Sequence, residues 1–80
     1  MKRKFNTIDV ANLAIIHYKD EIHEIWKNNN SHDAFVKFRE IAKKAIIKNY
    51  GKRVLNELSG QFIGYSAHYI YVHCRAYLQK

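Results

Sequence analysis

The sequence contains no proline, a single cysteine and only three glycines. Without proline, nothing forces a break in a helix by removing a backbone N–H, so long segments are free to be helical. A single cysteine excludes an intramolecular disulfide framework and a cysteine-based zinc site, both of which need several thiols. The apolar runs are short: Leu13-Ala14-Ile15-Ile16 falls far below the roughly 20 residues of a membrane span. Glycine-rich phosphate loops, a serine nucleophile elbow and a paired-carboxylate site are also missing, so the expectation is a non-catalytic protein without cofactor or bound metal. Acid is scarce as well. Seven Asp and Glu stand against 14 Lys and Arg, a formal net charge of +7, which favours an anionic partner.

Eighty residues allow one domain and a thin core. A hydrophobic share of 48% is too high for a disordered chain. The start, Met1-Lys2-Arg3-Lys4, has the charge of a signal-peptide n-region, but Asn6, Asp9 and Asn12 interrupt the apolar stretch that should follow. The expectation is a cytoplasmic protein, a single helical domain over 1–80 with 1–6 as a basic N-terminal tail.

Segment one, about Thr7 to Lys27, has Ile8, Ala11, Ile15, Tyr18, Ile22 and Ile25 at alternating spacings of three and four, one face of a helix. Asn6 or Thr7 can cap it. Val10, Leu13 and Ile16 fall off the stripe, so the first half is apolar nearly all round. Such surplus aliphatics on a thin core favour a homodimer.

Segment two, about His32 to Tyr50, has Ser31 as its expected N-cap, Gly51 as its terminator and Phe35, Phe38, Ile41, Ala42, Ala45 and Ile46 as its inner face. Segment three, about Lys52 to Ser59, is a short helix or turn with Val54, Leu55 and Leu58 inward, and Gly60 can end it. Segment four, Gln61 to Gln79, reads as a helix with Phe62, Ile63, Ser66, Ala67, Ile70, Cys74, Tyr77 and Leu78 on one side. It also alternates as a strand around Tyr69 to Cys74. No other segment offers a partner strand, which favours helix. The fold expected is therefore all-α, a small single-domain bundle of three to four helices.

The charge is uneven. Lys2, Arg3 and Lys4 make the tail basic, whereas Asp9, Asp20, Glu21 and Glu24 outweigh Lys19 and Lys27 and leave the first helix acidic outside. Lys37, Arg39, Lys43, Lys44 and Lys48 form an outer face on segment two that only Glu40 interrupts, and Lys52 and Arg53 extend it. Such a patch can neutralise several phosphates and release their counterions. These seven residues are the candidate nucleic-acid contacts; a solvated face is the other reading of the same lysines. Val36 and Ile47 sit within that face and are expected to pack against a loop or segment three, a protein contact being the other reading.

Four of the six tyrosines lie in segment four. On a helix, His68, Tyr71, Val72, Arg75 and Gln79 face away from the core stripe, with Tyr65 at its edge. Tyr65, His68, Tyr71 and Arg75 are the candidate partner-binding residues, because such side chains combine contact area with polar tips. Aromatics also stack on bases. His17, Glu21 and Glu24, with Asp20 and His23 nearby, share part of segment one, but a metal needs ligands from a second helix and none has a matching set. Small size, basic charge and high Lys, Asn and Ile content are similar to those of many phage or mobile-element accessory proteins, a likeness of composition that assigns no residue. Two functions follow: a nucleic-acid-binding module using segment two, or a protein-binding inhibitor or adaptor using segment four. The partner is nucleic acid or a nucleic-acid-associated protein complex, with no membrane.

Overall fold

Every segment with helical spacing forms a helix in the computed structural model, which describes residues 5–78. Five helices follow in order among the described residues: α1 (Thr7–His17), α2 (Lys19–Asn28), α3 (Ser31–Tyr50), α4 (Lys52–Glu57) and α5 (Gly60–Tyr77). No strand occurs among them, so the alternation around Tyr69 to Cys74 is overridden by the helix that buries Ile70 and Cys74. The tail residues Lys2, Arg3 and Lys4, and Gln79 and Lys80 at the other end, lie outside the described residues.

The fifth helix arises because segment one is two helices. The chain breaks at Tyr18 (φ −127°, ψ 30°), although its N–H still donates to the Ala14 carbonyl and its own carbonyl accepts from Ile22 N–H. The burial pattern explains the break. Val10, Ala14, Ile22 and Trp26 are buried, and a run of four-residue steps drifts about 40° per step on a straight helix of about 100° per residue. From Val10 to Trp26 that drift reaches about 160°, nearly the opposite side. The bend at Tyr18 returns both ends to one core.

The same burial corrects the expected stripe. Val10 is fully buried, Leu13 is half-buried, and Ile8 and Ile16 are exposed, Ile16 at 70%. With aliphatics on nearly every side of α1, hydrophobicity alone does not choose the inner face. The face chosen is the one where the small side chains of Ala11 and Ala14 lie inside.

Asn6 caps α1 reciprocally. Its Oδ1 accepts from Asp9 N–H at 2.9 Å, and its own N–H donates to Asp9 Oδ2 at 2.9 Å. Just before it, the Phe5 ring stacks on Tyr50 at 3.9 Å and meets Phe62 edge-on at 5.9 Å. Phe5 and Asn6 thus belong to the folded body. They tie the chain's start to the end of α3 and the beginning of α5.

α3 is the central element, with α1, α2, α4 and α5 all packed against it. Its N-cap is Asn30 and not Ser31: Asn30 Oδ1 accepts from Asp33 N–H at 2.8 Å. Its core face is Ala34, Phe38, Ile41, Ala42, Ala45 and Ile46, and Phe35 is displaced to a half-buried edge. Gly51 ends α3 with φ +96° and ψ 157°, its N–H donating to the Ile46 and Ile47 carbonyls. That backbone conformation is all but closed to residues with a Cβ.

Val54, Leu55 and Leu58 pack half-buried on the core as expected. Gly60 does not end α4. Leu58 does, its N–H donating to the Leu55 carbonyl, and Ser59 then caps α5 by accepting from Phe62 N–H at 3.1 Å. α5 buries Phe62, Ile63, Ser66, Ala67, Ile70 and Cys74, while Tyr77 is 76% exposed and not part of the inner face. The buried Ser66 hydroxyl donates to the Phe62 carbonyl at 3.0 Å.

Candidate functional site

The seven basic candidates do not form one continuous face. Counting about 100° per residue around α3, Arg39 and Lys43 lie on one flank and Lys37, Lys44 and Lys48 on the other, with Val36, Glu40 and Ile47 on the ridge between. The contacts agree. Lys44 Nζ reaches Glu21 Oε2 of α2 at 3.0 Å and stands 5.7 Å from the centre of the Tyr18 ring. The acidic outside of the first segment therefore meets part of the basic face. Lys43 Nζ pairs with Glu40 Oε2 at 3.0 Å. Both pairs are solvent-exposed and contribute at most about 1 kcal/mol, so either lysine is readily released to a stronger anion. Val36 and Ile47 remain exposed and no loop covers them. Lys52 and Arg53 are exposed at the beginning of α4.

The opposite flank of α3 faces α5, and there the structure brings two candidate sets together. Phe35 and Arg39 of α3, with Gly60, Gln61, Gly64, Tyr65 and His68 of α5, line an open groove of about 670 Å³. The lining holds one permanent cation, one imidazole, two aromatic rings and no acid. Arg39 comes from the basic set, and Tyr65 and His68 from the aromatic one. A Cβ added to Gly60 would stand 3.8 Å from an Arg39 guanidinium nitrogen, so the guanidinium lies over the start of α5. A Cβ on Gly64 would meet nothing within 4 Å.

Tyr65 is a ridge between two depressions. On its other side lies a second one of about 520 Å³, lined by Phe5, Asn6, Thr7, Ser59 and Phe62 and sharing Gln61 and Tyr65. The ring is 53% exposed, and its hydroxyl accepts from Gln61 Nε2 at 3.2 Å. That bond engages the hydroxyl edge of the ring.

The rest of the aromatic strip is not assembled as expected. Tyr71 is half-buried, its ring edge-on to Trp26 at 5.2 Å, where it completes the core at the far end of the bundle. Arg75 is exposed in the last turn of α5, and His68 is exposed beside Tyr69. Of the four partner-binding candidates, Tyr65 and His68 share the groove, Arg75 lies farther along the same helix, and Tyr71 points away.

No group of three metal-ligating side chains occurs among the described residues. Cys74 is fully buried, and burial pushes its thiol up to about 11. Beside it, burial lowers the His73 pKa, with the nearby His23 and Lys19 charges acting in the same direction. Burial raises Tyr50, with Asp9 adding to the effect. No helix among the described residues is long and apolar enough to cross a membrane.

Sequence reasoning missed Phe35, Gly60, Gln61 and Gly64 as site residues. A signal for the glycines existed: two of them four apart within a helical pattern place two bare positions on one side of a helix. Compared with protein families, with curated proteins and with solved structures, the chain finds no match.

Proposed function

We propose that the protein is a small non-catalytic nucleic-acid-binding module that meets its ligand along the α3 surface bordering α5. The observation that carries this reading is the α3/α5 groove: Arg39 within it, two aromatic rings and an imidazole around it, and no carboxylate in its lining. Lys43, one turn from Arg39 on the same flank, continues the positive strip. Lys37, Lys48, Lys52 and Arg53 raise the field around it, consistent with a net charge of +7. Phosphates supply the charge complement, and each one neutralised releases counterions. Lys43 and Lys44, paired with Glu40 and Glu21, contribute less than the unpaired cations of the basic set until an anion displaces those carboxylates.

The test is fluorescence anisotropy with labelled duplex and single-stranded oligomers across a salt series. The affinity should fall steeply between about 50 and 200 mM salt, as log K linear in log salt. Arg39→Gln should reduce that slope by about one. An absence of binding at low salt, or an affinity indifferent to salt, refutes the reading. In that case a protein partner at the α5 surface of Tyr65, His68 and Arg75 becomes the account.

A further inference from the structure

We infer that the ligand is a single strand, with one unstacked base seated in the α3/α5 groove over Gly64, against Tyr65 and Phe35, and its phosphate held by Arg39. This rests on the nucleic-acid reading above and narrows it.

Gly64 is the point of departure. It lies inside α5, at an ordinary helical φ, with no atom within 4 Å of where its Cβ would be. Neither backbone conformation nor close packing calls for glycine there. Glycine in a helix interior is less stable than alanine by roughly 0.5–1 kcal/mol. The bare position does one visible thing: it keeps the floor of the groove open, beside Gly60 one turn earlier. A side chain at either site would narrow the space between Phe35 and Tyr65.

The walls then select the occupant. Tyr65 of α5 is 53% exposed, and Phe35 stands half-buried on the opposite wall. Aromatic faces of this kind stack on bases, which all carry a π-face. A duplex hides those faces within its own stack, so the rings could not reach them. The charge distribution points the same way. Arg39 and Lys43, the latter paired with Glu40 on the ridge, form a strip on the groove side of α3, whereas the cations of the other flank are separated from it by Val36, Glu40 and Ile47, and Lys44 is paired with Glu21. One narrow strip follows one backbone. The guanidinium over Gly60 can take a phosphate bidentately, and His68 and Gln61 offer donors or acceptors to a base edge.

The experiment compares wild type, Tyr65→Ala, Tyr65→Phe and Gly64→Leu. Each is titrated against labelled oligo(dT), oligo(U) and a duplex of about a dozen nucleotides, a typical single-strand site size. Thermal unfolding is followed in parallel. Wild type should bind the single strands more tightly than the duplex. Tyr65→Ala should lose about 5- to 100-fold in single-strand affinity, the effect of removing one stacking ring, while Tyr65→Phe keeps it. Gly64→Leu should keep or raise the unfolding temperature, because leucine is the better helix former, and still lose at least about tenfold in single-strand binding. Its retained fold separates a blocked groove from a damaged protein. Oligo(dT) against oligo(U) separates the two chemical sources of a single strand. Duplex binding equal to or tighter than single-strand binding, or unaltered affinity in Tyr65→Ala and Gly64→Leu, overturns the inference while the nucleic-acid reading stands. Failure of all three oligomers at low salt overturns both.

Discussion

At the scale of single residues, the titratable groups define a window of stability. The Cys74 thiol is pushed up to about 11 by burial from an ordinary value of 9.0. Below pH 9 the folded and unfolded chains hold this proton equally. Above it the unfolded chain releases the proton first, so stability falls as pH rises from about 9 to 11. Tyr50, also raised by burial, adds to the loss above its ordinary value of 10.0. His73 works on the acid side. Its folded pKa lies below the ordinary 6.5, so stability falls as pH drops beneath 6.5 and the unfolded chain takes up the proton preferentially. Urea unfolding across pH should therefore show a plateau between about 6.5 and 9, within the limits these groups set. A Cys74→Ala variant should have a weaker decline on the alkaline side, and the native thiol should resist an aqueous disulfide reagent until the protein unfolds.

Gly51 belongs to the same scale. At φ +96° and ψ 157° it holds a conformation reserved for glycine, and Gly51→Ala should lower stability by about 1–3 kcal/mol in a denaturant titration. Gly64→Ala, with open space and an ordinary φ, should have the opposite sign. That Gly51 ends α3 was legible in the sequence, since a glycine after a helical pattern marks a stop, but its ψ of 157° takes it outside the left-handed helical conformation such a stop usually has. For Gly64 only its spacing from Gly60 was legible; the groove was not, because its other wall is made by Phe35 and Arg39, residues of another helix.

At the scale of elements, the all-helical composition was legible from spacing together with the lack of a partner strand for segment four, and the outer boundaries of the segments were legible to within a residue or two. The exceptions have physical causes. The break at Tyr18 has no proline or glycine to announce it. It is driven by the core, which needs both Val10 and Trp26 inside, a demand visible only when the partner helices are in place. Ser31 and Asn30 are both good caps, and the chain uses Asn30, whose side-chain Oδ1 accepts from Asp33 N–H. Asn30→Ala should therefore cost about 1 kcal/mol, while Ser31→Ala, one residue inside the helix, should be nearly neutral in the same unfolding assay. Gly60 looked like the end of α4 because glycine commonly terminates helices. Ser59 directly before it, bonded to Phe62 N–H, makes it instead the first residue of α5.

At the scale of the whole molecule, the charge asymmetry was legible and its consequence was only half so. Sequence placed an acidic exterior on the first segment and a basic one on the second. The fold folds the two against each other at Lys44 and Glu21 and turns the remaining cations to opposite flanks. The candidate groove lies on the other flank, where Lys43 is paired with Glu40 and Arg39 lines the groove. Two sets of residues that seemed to belong to rival functions, Arg39 from one and Tyr65 with His68 from the other, line the same depression. That convergence depends on how α3 and α5 pack, with Arg39 beside Gly60 and Phe35 sharing the groove with His68, and no local pattern encodes it. The contact of Tyr71 with Trp26 also removes Tyr71 from the exposed strip.

The most direct measurement of this arrangement is an NMR titration of the amide-labelled protein with a single-stranded oligomer. Binding at the α3/α5 groove requires the largest shifts at Phe35, Arg39, Lys43 and the 60–68 stretch of α5, with the outer face of α2 around Asp20 and Glu24 left unchanged. Shifts centred on α1 and α2, or none at ligand excess in low salt, would contradict it.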